Sequence, residues 1–115
     1  MQNLFKSNHP VRQIKSFKYA FEGLMHAFLN EPNFRIQILI VTASVVLGKI
    51  YQITRAEWSV IALSLGLLLV TELINTVFEE IMDRFMKETD DSVKIIKDVS
   101  AAAVLITAFV VGVNL

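Results

Sequence analysis

Residues 58–78 read WSVIALSLGLLLVTELINTVF, a 21-residue run long enough to cross a bilayer as one helix, yet with Glu72 and Asn75 near its end. An ionisable group inside such a run costs about 3 kcal/mol on insertion scales, so it needs a function or a partner. Continuing past Phe78, Glu72, Asn75, Glu79 and Asp83 fall at steps of three, four and four, which stacks all four on one face of one helix. Glu72 lies six residues inside Phe78, about 9 Å below that end at the helical rise. A single interhelical hydrogen bond would explain Glu72 alone, and solvation would explain Glu79, Glu80 and Asp83 alone; their alignment favours a chemical stripe.

The rest of the 115-residue chain fits the same solvent. Hydrophobic residues make up 54% and charged ones 19%, too apolar for an ordinary soluble domain. Eleven Lys and Arg balance eleven Asp and Glu, leaving no basic excess of the kind that nucleic-acid binding uses. The absence of cysteine excludes disulfides, thiolate metal sites and thiol nucleophiles. Four scattered glycines, at 23, 48, 66 and 112, permit neither a Walker loop nor a G-x-G-x-x-G turn, so any nucleotide is held by other means.

Working outward, Ile36 to Leu47 is nearly all apolar, and Lys49, Tyr51 and Arg55 reach an interface, giving a first span over about 34–53. The second span is 58–78. A third runs over 99–115, extended at its start by helical turns around Val93 to Lys97. Before the first span, a helix over 11–29 places Phe17, Phe21, Leu24 and Phe28 on one side and Arg12, Lys15, Lys18 and Glu22 largely elsewhere, the pattern of a helix lying in the membrane interface. Asn8 and Pro10 read as its start, and Asn30-Glu31-Pro32-Asn33 separates it from the first span. Residues 1–35 show no apolar core behind a basic start, so no signal peptide is expected. The reading is thus an all-α membrane protein of one domain over 1–115, an N-terminal amphipathic surface helix followed by three transmembrane helices.

Lysines and arginines set the orientation. Five lie in residues 1–35, four in 79–98, and two, Lys49 and Arg55, in the short loop between the first two spans. Nine against two places the N-terminus and the 79–98 loop in the cytoplasm, and the C-terminus outside.

The stretch ELINTVFE at 72–79, Asp83, and KDVSAAAV at 97–104 together resemble the signature of the prokaryotic diacylglycerol kinase family. The resemblance extends to Asn30-Glu31, Arg35, Arg12, Tyr19 and Gly23, and so covers essentially the whole chain. It implies a homotrimer with active sites shared between subunits, which moves the γ-phosphoryl group of ATP, with Mg2+, to a lipid hydroxyl. Carried over by position, it implies Glu72 as general base with Asn75 beside it, and Glu31 and Glu79 as metal ligands. It further implies nucleotide contacts from Arg12, Tyr19, Glu31, Glu79, Glu88, Thr89, Asp90, Lys97 and Asp98, and a lipid lying near Glu72, Arg35 and Ala101. Two departures from the family pattern are Val77-Phe78 ahead of Glu79 and Ser100 ahead of the alanines.

Ala56-Glu57-Trp58 opening the second span is more similar to the Gram-positive branch of that family, which implies undecaprenol as the acceptor, with diacylglycerol as the alternative. Two other classes compete. A small proton-coupled transporter subunit would also place a lone glutamate in a bundle, but has no reason to gather Glu31, Glu79, Asp83, Lys97 and Asp98 on one membrane face. A non-catalytic interaction subunit would use Ala101, Ala102 and Ala103 for helix packing alone.

Overall fold

The structure, a computed structural model, describes residues 10–86 and 90–114; Asn8, Glu88 and Thr89 lie outside the described residues. Among the described residues there are four helices: α1 (Pro10–Asn30), α2 (Pro32–Ile50), α3 (Arg55–Phe85) and α4 (Asp91–Asn114). Of these, α2, α3 and α4 are long and apolar enough to cross a membrane.

Local chemistry explains each break. Glu31 is the one extended residue between α1 and α2, with φ −114° and ψ 104°, because Pro32 disfavours helical geometry before it and opens α2 without needing an N–H. The Arg35 guanidinium reaches back and donates to the Phe28 and Leu29 carbonyls at 2.9 and 3.0 Å, satisfying acceptors that the end of α1 leaves open. At the opposite end of the bundle, Gln52 takes φ 52° in the tight turn, and Thr54 and Glu57 cap α3 reciprocally. The Thr54 hydroxyl accepts from the Glu57 N–H at 3.1 Å and the Glu57 carboxylate accepts from the Thr54 N–H at 3.0 Å. Asp90 opens α4 by accepting from the Val93 N–H at 3.0 Å.

The helices outrun the apolar stretches that announce them. α3 is 31 residues, about 46 Å at the helical rise, against a hydrocarbon core of about 30 Å. Its surplus carries Glu79, Glu80, Asp83 and Arg84 beyond the last apolar turn, steadied by an Arg84–Glu80 pair at 2.7 Å one turn apart. α4 likewise starts eight residues before Val99, and α2 ends at Ile50 rather than 53 because the turn at Gln52 closes the helix.

The interior is small: Leu65 and Leu68 of α3 meet Val111 of α4, with Val41 and Ile61 packed against them. Large apolar side chains such as Leu39, Leu63, Leu105 and Phe109 are about 70% exposed. That is the reverse of a water-soluble fold and suits helices whose outer faces meet lipid tails or other subunits. The most enclosed large side chain among the described residues is instead a charged one, Glu72.

Candidate active site

Glu72 is 2% exposed, and Asn75 and Thr76 of the same helix are 8% exposed. The Thr76 hydroxyl turns back to donate to the Glu72 carbonyl at 3.0 Å, so it is committed to the backbone. The Glu72 carboxylate accepts one long hydrogen bond, 3.4 Å, from the amide nitrogen of Gln37 on α2. Asn75 is held from the other side, where its Oδ1 accepts from the Ser100 hydroxyl of α4 at 2.8 Å. The α3 stripe is therefore gripped by one polar residue from each neighbouring helix.

Beside it lies a cleft of about 440 Å³. Its polar lining consists of three carboxylates, Glu31, Glu72 and Glu79, and three amides, Asn33, Gln37 and Asn75. Its remaining wall is apolar, from Ile36, Ile40 and Leu68 across to Ala101, Val104, Leu105 and Ala108 of α4. Three elements thus meet here: Glu31 with the first half of α2, Leu68 to Glu79 of α3 and the middle of α4. Glu31 arrives from the extended linker, and its side chain makes no capping bond to α2, which leaves the carboxylate available to the cleft.

The chemistry of this donor set fits a hard divalent cation. All six polar linings offer oxygen, and no Lys, Arg or His lines the cleft to compensate the carboxylates. Among the described residues no three acidic or histidine side chains converge closely enough to hold a metal alone. One or two carboxylates completed by phosphate oxygens and water is the arrangement that magnesium uses with nucleotides.

Of the residues expected at the site, Glu31, Glu72, Asn75, Glu79 and Ala101 come together in this cleft. The other expected residues that are described do not line it. Lys97 bonds the Asp83 carboxylate at 2.9 Å, tying α4 to α3 ahead of the third apolar stretch; that hydrogen bond and charge hold its ammonium above the ordinary lysine range, so it stays cationic. Asp98 pairs with Lys94 at 2.6 Å, Asp90 caps α4, and Arg35 binds the carbonyls ending α1. Arg12 and Tyr19 lie on α1, with Tyr19 62% exposed.

Gln37 and Asn33 line the cleft without belonging to the site motif, and Ser100, which stands out in the sequence only as a departure from the family pattern, holds Asn75. Gln37 had left one signal, a long amide side chain in the second position of an otherwise aliphatic and small-residue run.

Comparison with known proteins gives this geometry a context. The family described as prokaryotic diacylglycerol kinase matches residues 18–115. A diacylglycerol kinase of Synechocystis is 33% identical over 81% of this chain, which spans 54% of that protein's length. An undecaprenol kinase of Bacillus subtilis is 29% identical over 90% of this chain and 84% of its own, and a diacylglycerol kinase of Escherichia coli is 30% identical over 87% and 82%. The chain belongs to the prokaryotic diacylglycerol kinase family, and it is a lipid kinase.

Proposed function

We propose that this chain phosphorylates the hydroxyl of undecaprenol, using ATP with Mg2+, at the cleft beside Glu72. The observation that carries the reading is the cleft's division into a carboxylate and amide end and an aliphatic wall. A phosphate donor with its cation needs the first, and a lipid tail needs the second.

Glu31 and Glu79 are the residues to hold the cation, since both face the cleft and neither makes a capping or ion-pair contact. Bound there, magnesium would neutralise charge on the phosphate oxygens. Glu72 is deeper than Glu79 by seven residues, about 10 Å along the helix, which turns it toward the membrane side from which a lipid alcohol would approach. It accepts the hydroxyl proton as the alcohol oxygen bonds to the γ-phosphorus and the bond to the β-phosphate oxygen breaks, releasing ADP. Asn75, fixed by Ser100, positions groups beside that base. Lys97, kept cationic by Asp83, together with Asp98, Asp90, Glu88, Thr89, Arg12 and Tyr19, serves the nucleotide, and Arg35 and Ala101 border the lipid.

Residues on α1 reach a cleft they do not line within their own chain if they act on a neighbour's, which supports a homotrimer with shared sites. The exposed aliphatic faces of α2 to α4 supply surface for such packing. The nine-to-two lysine and arginine asymmetry supports a plasma-membrane protein with its N-terminus and 79–98 loop in the cytoplasm, where ATP is. α1 as an interfacial helix agrees with its exposed Phe17 and Phe21.

Diacylglycerol is the second reading, favoured by the names of the Synechocystis and Escherichia coli relatives, whereas the Bacillus subtilis relative favours undecaprenol. Competition between the two alcohols in mixed micelles with MgATP separates them: preferential undecaprenyl phosphate formation is expected, and preferential phosphatidic acid formation would replace the first reading with the second.

A further inference from the structure

Gln37 is the cleft's one enclosed amide that the roles above leave unused. It is 8% exposed, and while its nitrogen donates to Glu72, its Oε1 is buried without a hydrogen-bond partner. Buried acceptors are rarely left so in folded proteins. The carboxamide has an unusual property: a half turn about its terminal torsion exchanges donor and acceptor within the same volume.

A general base must be held in two states. Ionised, Glu72 offers only acceptors, and the observed orientation, with the Gln37 N–H facing it, suits that state. Once the oxygen that faces Gln37 has taken the hydroxyl proton, it carries an O–H, and the same amide nitrogen would confront a donor. The turned amide instead presents Oε1, the atom now without a partner, as the acceptor. Among the described residues no other side chain bonds the Glu72 carboxylate. Thr76 is committed to the backbone, Ser100 and the Asn75 oxygen are committed to each other, and Glu31 and Glu79, which share the cleft, have no proton to donate when ionised and are taken up by the cation in the reading above.

We infer that Gln37 is a positioning residue that holds the Glu72 carboxyl group in one orientation before and after proton transfer, by exchanging which end of its amide faces it. This rests on Glu72 acting as the base.

The test compares Gln37→Met and Gln37→His with Glu72→Gln in detergent-solubilised full-length protein, with assembly followed by size exclusion. Methionine keeps the volume and removes both hydrogen-bonding atoms, whereas the imidazole ring again carries one donor and one acceptor. Gln37→Met is expected to lower kcat at least fivefold with the KM for MgATP within twofold, and Gln37→His to recover at least half of that loss. A smaller fall in kcat, a loss expressed in KM for MgATP, or an equal loss in Gln37→His would overturn the proposal. Should Gln37→Met fail to assemble, Gln37→Leu, which also removes both hydrogen-bonding atoms without adding charge, takes its place under the same thresholds. Normal turnover in Glu72→Gln would instead remove the base reading, an outcome seen with Gln37 intact and therefore distinct.

Discussion

The Ser100 hydroxyl on α4 donates to the Asn75 amide oxygen on α3 across 2.8 Å, joining residues 25 apart in sequence at the edge of the cleft. With the oxygen engaged, the Asn75 amide nitrogen is left to face other groups. A neutral hydrogen bond of this kind is worth about 1 kcal/mol, a factor of about five in rate if the amide must be oriented for turnover. Ser100→Ala is expected to lower kcat by that factor, while Ser100→Thr, which keeps the hydroxyl, retains most of the activity. Steady-state kinetics on both variants check this, and an undiminished kcat in Ser100→Ala would show that the bond only packs helices.

Glu72 and Glu79 share a helix face but are assigned different work, and conservative amides separate them. Glu72→Gln removes the proton acceptor, with an expected fall in kcat of about 100-fold or more and nearly unchanged MgATP binding. Glu79→Gln weakens the metal site and is expected to depress nucleotide binding as well, with a higher magnesium requirement. Titrating MgATP against each purified variant distinguishes the two patterns. A loss of ATP affinity in Glu72→Gln equal to that of Glu79→Gln would recast Glu72 as a metal-linked carboxylate.

The stripe of Glu72, Asn75 and Glu79 was legible in the sequence because it obeys the period of a single helix, and the three spans because apolar length alone announces them. What crosses between helices was not. The Gln37–Glu72 contact joins positions 35 residues apart, and nothing in the local pattern of α2 says that its amide turns toward α3. The Arg35 guanidinium binds the last carbonyls of α1, a contact that depends on how sharply the chain turns at Glu31 and that no local pattern announces. The helix ends were displaced for a related reason: hydropathy marks the membrane, while capping by Thr54 and Asp90 and the Arg84–Glu80 pair let α3 and α4 continue into water.

Shared sites make a prediction about mixtures. Arg12 and Tyr19 do not line the cleft of their own chain, so in the proposed trimer with shared sites an Arg12→Ala chain and a Glu79→Gln chain would carry defects that separate onto different subunits. Mixed trimers are expected to recover part of the wild-type activity, because some sites then draw an intact Glu79 and an intact Arg12 from two chains. Reconstitution from co-expressed, differently tagged chains measures it. Recovery absent from verified mixed trimers would mean that each site is built within one chain.

Gly48, two residues before the end of α2, lies against the indole of Trp58 at the start of α3. A Cβ there would fall 2.7 and 3.0 Å from two carbons of the indole ring and 3.1 Å from the Ile53 side chain. Alanine at this position has two opposed effects. It favours the helix by up to about 1 kcal/mol, but overpacking against a ring flanked by the turn costs about 1–3 kcal/mol. The second is expected to win, because two carbons of a rigid, bulky ring already occupy the space that a methyl group would take. Gly48→Ala is therefore expected to lower the unfolding midpoint in detergent by a few degrees. Trp58 is the single tryptophan, so its fluorescence reports the same displacement without interference. Adding Trp58→Phe, which shortens the ring, is expected to relieve the clash and recover the midpoint relative to Trp58→Phe alone. An unchanged or raised midpoint in Gly48→Ala, with an unshifted emission, would mean that the indole yields freely and that close approach is not why a glycine stands there.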